Sequence, residues 1–146
     1  MVIVVKDSFK VSRTIEINAP GKKAWDALTK SVWTKRYMYG YEVESDWNAG
    51  SSVLWKTNAG GKTYTRKGKV LSAKKSKLLK FTDYNPEAVS DEDESKHAVV
   101  TYEISENKSS TVLYLNDDCA GDEKKFNESS KFWDVVLPKL KEILET

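Results

Sequence analysis

The chain has 146 residues, the usual size of one domain, and we expect residues 1–146 to fold as one. Its 39% hydrophobic, 32% charged and 11% aromatic residues are typical of a folded globular protein, and the net charge of +2 argues against nucleic acid or a membrane surface as partner. One Cys and one His exclude an internal disulfide and the common zinc frameworks, and the apolar runs are too short for a membrane span, so we expect a cytoplasmic protein without metal or cofactor.

The first third of the chain predicts a strand followed by two helices. Residues 9–17 alternate between apolar and polar side chains, as in a half-buried strand. Pro20 suits the first position of a helix, and an apolar stripe then follows at helical spacing, made of Ala24, Trp25 and Leu28. A second, short helix is predicted over residues 31–37.

From Tyr41 onward the period changes to two, which predicts about six antiparallel strands joined by short turns. Gly60 and Gly61 form a strong hairpin signal. Gly68, inside a predicted strand, indicates a bulge or a close approach of another backbone. The polar stretch at residues 87–96 predicts a mobile loop.

The end of the chain is the clearest helix. One apolar stripe at spacings of three, four and seven comprises Phe126, Trp133, Val136, Leu137, Leu140, Ile143 and Leu144. Pro138 predicts a kink or break near residues 134–137. The fold expected from these elements is α+β: a curved antiparallel sheet of six to seven strands around a long C-terminal helix, with two short helices after the first strand.

Several motifs carry a resemblance to a known family. Residues 17–20, Ile-Asn-Ala-Pro, followed by Ala-Trp-Asp-Ala-Leu-Thr at 24–29, resemble the START-like, Bet v 1-like helix-grip (SRPBCC) superfamily. Ser-Asp-Trp-Asn-Ala-Gly at 45–50 and Gly-Lys-Val-Leu at 68–71 are similar to the family named for the activator of the heat-shock-protein-90 ATPase. The resemblance implies a seven-stranded sheet, a cavity between sheet and long helix and, in many members, a hydrophobic or amphipathic small-molecule ligand.

Two sets of side chains are candidates for such a cavity. The aromatic candidates are Trp25, Trp33, Tyr37, Trp55, Tyr64, Phe81, Tyr102, Phe126 and Trp133; a filled core would use the same residues. The polar candidates are Arg66, Asp83 and Asp117, with Ser129 or Ser130, because period two carries the three charged residues inward with apolar neighbours. An Arg–carboxylate pair at one end of the cavity would orient a polar head group. Alternatively, a bulge at Gly68 reverses the register and leaves these side chains in water.

Other sequence features favour structural explanations. Residues 62–80 contain eight Lys or Arg and no acid, but several share one parity, as on a solvated strand face, so we predict no nucleic-acid binding. His97 is expected at the surface and Cys119 half-buried, and no local motif makes them a nucleophilic pair.

The function expected is binding of a hydrophobic or aromatic small molecule, lipid-like or polycyclic. The residues predicted to bind it are Trp33, Tyr37, Trp55, Tyr64, Arg66, Phe81, Asp83, Tyr102, Asp117, Phe126, Ser130 and Trp133. The alternatives are a chaperone-associated interaction protein and a cyclase-type enzyme, although no catalytic motif is found. We expect a monomer or weak dimer that does not insert into membranes.

Overall fold

The computed structural model describes residues 9–146. Its helices and strands, in chain order, are β1 (Val11–Ile17), α1 (Gly21–Thr29), α2 (Ser31–Tyr37), β2 (Glu42–Glu44), β3 (Ser52–Ala59), β4 (Lys62–Lys74), β5 (Leu78–Asp83), β6 (Ala98–Asn107), β7 (Ser110–Asp117) and α3 (Glu123–Leu144). The strands form one antiparallel sheet in the order β1-β7-β6-β5-β4-β3-β2. This confirms the predicted α+β helix-grip fold.

The sheet ends differently at its two edges. The last strand at one edge, β2, has only three residues. At the other edge, side chains bond the outward backbone groups of β1: Arg13 donates to the Ser12 carbonyl, and Lys141 of α3 donates to the Glu16 carbonyl at 2.6 Å. Just beyond the strand, the Asn18 N–H donates to the carboxylate of Glu145 at 2.8 Å. The C-terminal turn of α3 therefore covers part of the β1 edge.

The helices α1 and α2 are joined through the core. Pro20 is the N-cap of α1 and not its first helical residue, but the predicted stripe of Ala24, Trp25 and Leu28 is buried. The Tyr37 hydroxyl donates a hydrogen bond to the Ala27 carbonyl at 2.7 Å, and the ring is buried. This bond links the two helices and gives the buried phenol hydroxyl its hydrogen-bond partner.

Gly68 marks a close approach of two backbones and not the bulge. A Cβ at this position would lie 1.8 Å from the Thr82 carbonyl oxygen of β5. The Thr82 hydroxyl accepts a hydrogen bond from the Lys69 N–H at 2.9 Å. The irregularity in the β4–β5 pairing comes later, between Val70 and Ser72. The inward face of β4 therefore keeps its parity from Arg66 to Val70, and the alternative of a reversed register is wrong.

The long helix α3 continues through Pro138 without a break, so of the two predicted alternatives, a kink or a break, the break is wrong. Its side chains around the proline are buried against the sheet: Val136, Leu137, Leu140 and Leu144. This packing holds the helix together where proline removes one backbone hydrogen bond. Within residues 9–146, no helix combines the length and apolarity needed to traverse a bilayer.

Candidate functional site: a cavity beneath the first half of the long helix

A cavity of about 570 Å³ lies between the sheet and the N-terminal half of α3. Strands β3 to β7, the segment after α2 and the loop after β5 all contribute to its walls. The volume falls within the range of small-molecule sites in proteins, about 300–1,000 Å³. The C-terminal half of α3 packs solidly, so the space opens only where the helix stripe changes from aliphatic to aromatic and small polar residues.

Six aromatic rings form a continuous arc around the cavity. On the sheet side, Trp55 lies 5.3 Å from Phe81 between ring centroids, and Phe81 lies 6.0 Å from Tyr102. Tyr102 meets Trp133 of α3 edge-on at 5.9 Å. The arc continues along the helix to Phe132 at 5.0 Å and ends at Tyr39, a further 5.6 Å away. These ring contacts make the wall largely apolar, with Tyr39 at its exposed end.

A charged pair lies in this wall. The Nε of Arg66 donates to Oδ1 of Asp83 at 2.8 Å, and both side chains remain partly accessible from the cavity. Burial lowers the pKa of Arg66, but the charge and hydrogen bond of Asp83, with smaller contributions from Tyr41 and Asp117, together outweigh it, so the net shift is upward and the guanidinium stays charged. The pair thus corresponds to the Arg–carboxylate arrangement that the strand parity predicts.

Asp117, at the end of β7, has a different role. One carboxylate oxygen accepts a bond from the indole N–H of Trp133 at 2.9 Å, and the other accepts the Cys119 N–H at 3.0 Å. Burial raises the pKa of Asp117, and these two bonds oppose the rise. The carboxylate therefore holds the Trp133 ring in place at the back of the cavity.

Two tyrosines bring hydroxyl groups to the cavity. Burial raises the pKa of Tyr102, with a further contribution from the charges of Asp117 and Asp83. Burial also raises the pKa of Tyr41, which lies within the field of Arg66 and Asp83. Neither hydroxyl bonds another group within residues 9–146, where no sealed polar side-chain atom lacks a partner. Both hydroxyls are therefore open to the cavity or solvent and free to bond a ligand.

Cys119 lines the cavity as a buried thiol, and not as the half-buried residue expected. Burial, with the nearby Asp117 charge, raises the pKa of Cys119 to about 12. The group therefore stays a protonated thiol at neutral pH, which does not suit a nucleophile.

The loop after β5 is fastened to the sheet and forms part of the mouth of the cavity. Tyr84 and His97, at its two ends, stack with ring centroids 3.8 Å apart, and His97 is buried and not at the surface as expected. The Tyr84 hydroxyl donates to Asp91, and the His97 Nε2 is 2.9 Å from the Ser90 carbonyl oxygen. These contacts hold the segment that presents Ala88 and Val89 to the cavity.

The structure brings most of the predicted binding residues together. Those that line the cavity are Trp55, Arg66, Phe81, Asp83, Tyr102, Asp117 and Trp133. Those that lie outside it are Trp33, Tyr37, Tyr64, Phe126 and Ser130.

Each outlying residue has a physical reason for its place. Trp33 lies beside the cations of Lys23 and Arg36, and Tyr37 fills the core between α1 and α2. Tyr64 is near the β3–β4 turn, beyond the wall, and is 42% exposed. Phe126 packs on Phe9, with ring centroids 6.0 Å apart. Ser130 does not line the cavity, whereas its neighbour Ser129 does.

Sequence reasoning missed several lining residues that lie outside regular strands or beside the main helix stripe: Met38, Tyr39, Tyr41, Tyr84, Ala88, Val89 and Phe132. Gly40 was an available sequence signal for a turn; in the structure both Tyr39 and Gly40 have positive φ, and Tyr39 contacts Phe132. Residues 9–146 place no group of three His, Cys, Asp or Glu side chains where a metal ion could be held.

A curved antiparallel sheet gripping a long helix above an aromatic cavity defines the START-like, Bet v 1-like helix-grip class. Within it, the chain belongs to the family described as activator of Hsp90 ATPase homolog 1-like protein, whose sequence model matches residues 18–145. No curated protein matches the chain significantly.

Three solved structures illustrate the similarity. ChR145 from Cytophaga hutchinsonii is 32% identical, with 93% of each chain covered and a TM-score of 0.76. The Aha1 dimer from Colwellia psychrerythraea is 19% identical, over 93% of this chain and 96% of that one, with a TM-score of 0.72. DynU16, from the dynemicin biosynthetic locus, is 16% identical over 94% of this chain and 47% of that one, with a TM-score of 0.74. The last two share the fold.

Proposed function

We propose that the protein binds a hydrophobic or aromatic small molecule, lipid-like or polycyclic, in the cavity beneath α3. The observation that carries this proposal is the arc of aromatic rings around a space of about 570 Å³, with the Arg66–Asp83 pair set into its wall. An apolar wall with a few fixed polar groups is the usual composition of a small-molecule site. Membership of a helix-grip family supports the same role.

Binding fits the polar groups better than catalysis does. Asp83 is engaged by Arg66, and both oxygens of Asp117 accept bonds from protein groups. A general acid or base needs a group within reach of the reacting proton and a pKa matched to the working pH. The buried thiol of Cys119 is not activated. We therefore propose a carrier or sensor of its ligand and no reaction.

The neighbouring serines 129 and 130 supply a matched test, because only Ser129 lines the cavity. The uncharged probe N-phenyl-1-naphthylamine is titrated into the protein while probe and tryptophan emission are followed. We expect saturable binding of one probe per chain, a loss of about tenfold or more in affinity in Ser129→Phe, which fills the space, and no change in Ser130→Phe. Absence of saturable binding to the folded wild-type protein would contradict the proposal, as would equal losses in both variants.

A second candidate function is association with a chaperone, and the description of the family favours it. Its test is a titration of the protein into a cognate 90-kDa heat-shock protein while ATP hydrolysis is measured. A rise in ATPase rate that saturates supports an interaction role, and a flat titration removes it. Self-association, suggested by the dimeric Aha1 relative, is measured on the same samples by sedimentation equilibrium.

A further inference from the structure

The charges around the cavity decide which polar group its ligand carries. We infer that the cavity selects uncharged aromatic ligands bearing a hydroxyl or carbonyl oxygen, and that it discriminates against carboxylates such as fatty acids. This inference rests on the proposed function and specifies its ligand class.

The polar part of the wall contains no unbalanced positive charge. Arg66, the cation there, is already paired with Asp83 at 2.8 Å, and the Asp117 carboxyl lies close enough to influence it. The other cations of the lining, Lys124 and Lys125, lie in the first turn of α3, and the lining also includes the acidic Asp122, the N-cap, and Glu128 of the same helix. Lys125 also donates to the Lys96 carbonyl at 2.8 Å. The lining as a whole thus offers no net positive charge to an anion.

A carboxylate placed beside Arg66 would have to compete with Asp83. It would lose its hydration and approach an existing carboxylate, and burial of a charge without its own counterion is costly. A neutral oxygen loses far less hydration free energy and meets no charge repulsion, because it brings no charge into the apolar space.

The same groups provide donors and acceptors for a neutral oxygen. A guanidinium has five N–H donors, and within residues 9–146 only the Nε of Arg66 is engaged. Oδ2 of Asp83 accepts no bond from the same residues, so it can accept a ligand hydroxyl. The hydroxyls of Tyr41 and Tyr102 can donate or accept. A phenol, alcohol or ketone on an aromatic frame therefore satisfies the polar groups while its rings contact the aromatic arc.

Two probes with one frame and different charge test the inference. 9-Anthracenemethanol and 9-anthracenecarboxylate are titrated at pH 7.4, and we expect the alcohol to bind at least about tenfold more tightly. A carboxylate that binds as tightly as the alcohol, or more tightly, overturns the charge argument and leaves the proposed function standing. Failure of every probe, including N-phenyl-1-naphthylamine, removes the proposed function itself.

Two Asp→Asn variants then assign the discrimination to the cavity pair. Asp83→Asn leaves the Arg66 cation without a counterion, so the alcohol-to-carboxylate affinity ratio should fall about tenfold. Asp134→Asn is the matched control, because Asp134 accepts from the Nε of Arg13 at 2.9 Å in a pair outside the cavity, and its ratio should equal the wild-type value.

Arg66→Gln covers the case in which Asp83→Asn does not fold. It removes the cation while retaining Asp83, and should weaken carboxylate binding more than alcohol binding. The inference is overturned if the alcohol-to-carboxylate affinity ratio is unchanged in a folded Asp83→Asn protein. It is also overturned if a folded Arg66→Gln protein loses affinity equally for both probes. Circular dichroism establishes that each variant is folded before titration.

Discussion

Replacement of Trp133 by Phe tests the bond that fixes the back of the cavity. Trp133→Phe removes the indole N–H that donates to Asp117 at 2.9 Å, and the Cys119 N–H remains the carboxylate's other partner. Loss of a bond to a charged acceptor costs about 1.5–3 kcal/mol. The smaller ring also loses part of its contact with Tyr102 and Phe132. This lost packing should cost about 1 kcal/mol of unfolding free energy, because one side of the ring already faces a cavity. We expect the free energy of unfolding to fall by about 3 kcal/mol at pH 7.

The loss should depend on pH in a definite direction. The pKa of Asp117 is raised in the folded protein, so the folded state holds the proton more tightly than the unfolded chain. The unfolding free energy therefore falls as pH rises from the ordinary Asp value, about 3.9, through the raised pKa, and is constant above it. Without the Trp133 donor, which lowers this pKa, the fall extends to higher pH. The stability difference between wild type and variant should thus be larger at pH 7 than near pH 4.

Urea denaturation followed by circular dichroism at several pH values measures both effects. Trp47→Phe is the matched control, because the Trp47 indole donates to an uncharged acceptor, the Thr29 carbonyl, at 2.9 Å. Its stability loss should show no comparable pH dependence. A Trp133→Phe loss below about 1 kcal/mol that is equal at both pH values would refute the assigned role of the Asp117 bond.

Other substitutions test the packing around the cavity. Leu140→Ala, at a buried site of α3, should lower the unfolding free energy by about 2–5 kcal/mol in a urea titration. The control Val135→Ala, at an exposed site, should change it by less than about 0.5 kcal/mol, and similar losses in the two variants would show that the apolar stripe is misplaced. Gly68→Ala places a Cβ against the Thr82 carbonyl, so we expect a loss of more than about 1 kcal/mol where Gly→Ala in a strand ordinarily stabilises by about 0.5–1 kcal/mol. An unchanged or raised denaturation midpoint would contradict the close approach. His97→Ala removes the ring stack on Tyr84, so we expect the unfolding free energy to fall by about 0.5–1.5 kcal/mol and proteolysis within residues 85–96 to become faster. A cleavage rate equal to that of the wild type would show that the stack does not hold the loop.

The sequence predicted those parts of the structure that follow from periodicity. Alternation placed Arg66, Asp83 and Asp117 on the inward face, and all three line the cavity. Gly68 indicated either a bulge or a close approach of another backbone. These two alternatives predict opposite orientations for Arg66, and only the position of Thr82 in the structure decides between them.

The rest of the site depends on contacts that no local pattern encodes. Helical spacing placed Tyr37 beside Trp33, but the packing of α2 against α1 determines that Tyr37 fills the core. Tyr84, Ala88 and Val89 reach the cavity because Tyr84 and His97, thirteen residues apart in the chain, stack on one another. Continuity through Pro138 likewise depends on packing against the sheet.

The bonds from α3 to the outer side of β1 bear on how the protein behaves at high concentration. A free sheet edge is a template on which a strand of another molecule can pair. Here Lys141 and Glu145 occupy backbone groups at that edge, and the opposite edge is a strand of three residues. The last turn of the helix therefore protects part of this edge from pairing with a strand of another molecule. Replacement of both Lys141 and Glu145 by Ala would remove these bonds at positions that do not line the cavity, and should increase self-association through the β1 edge.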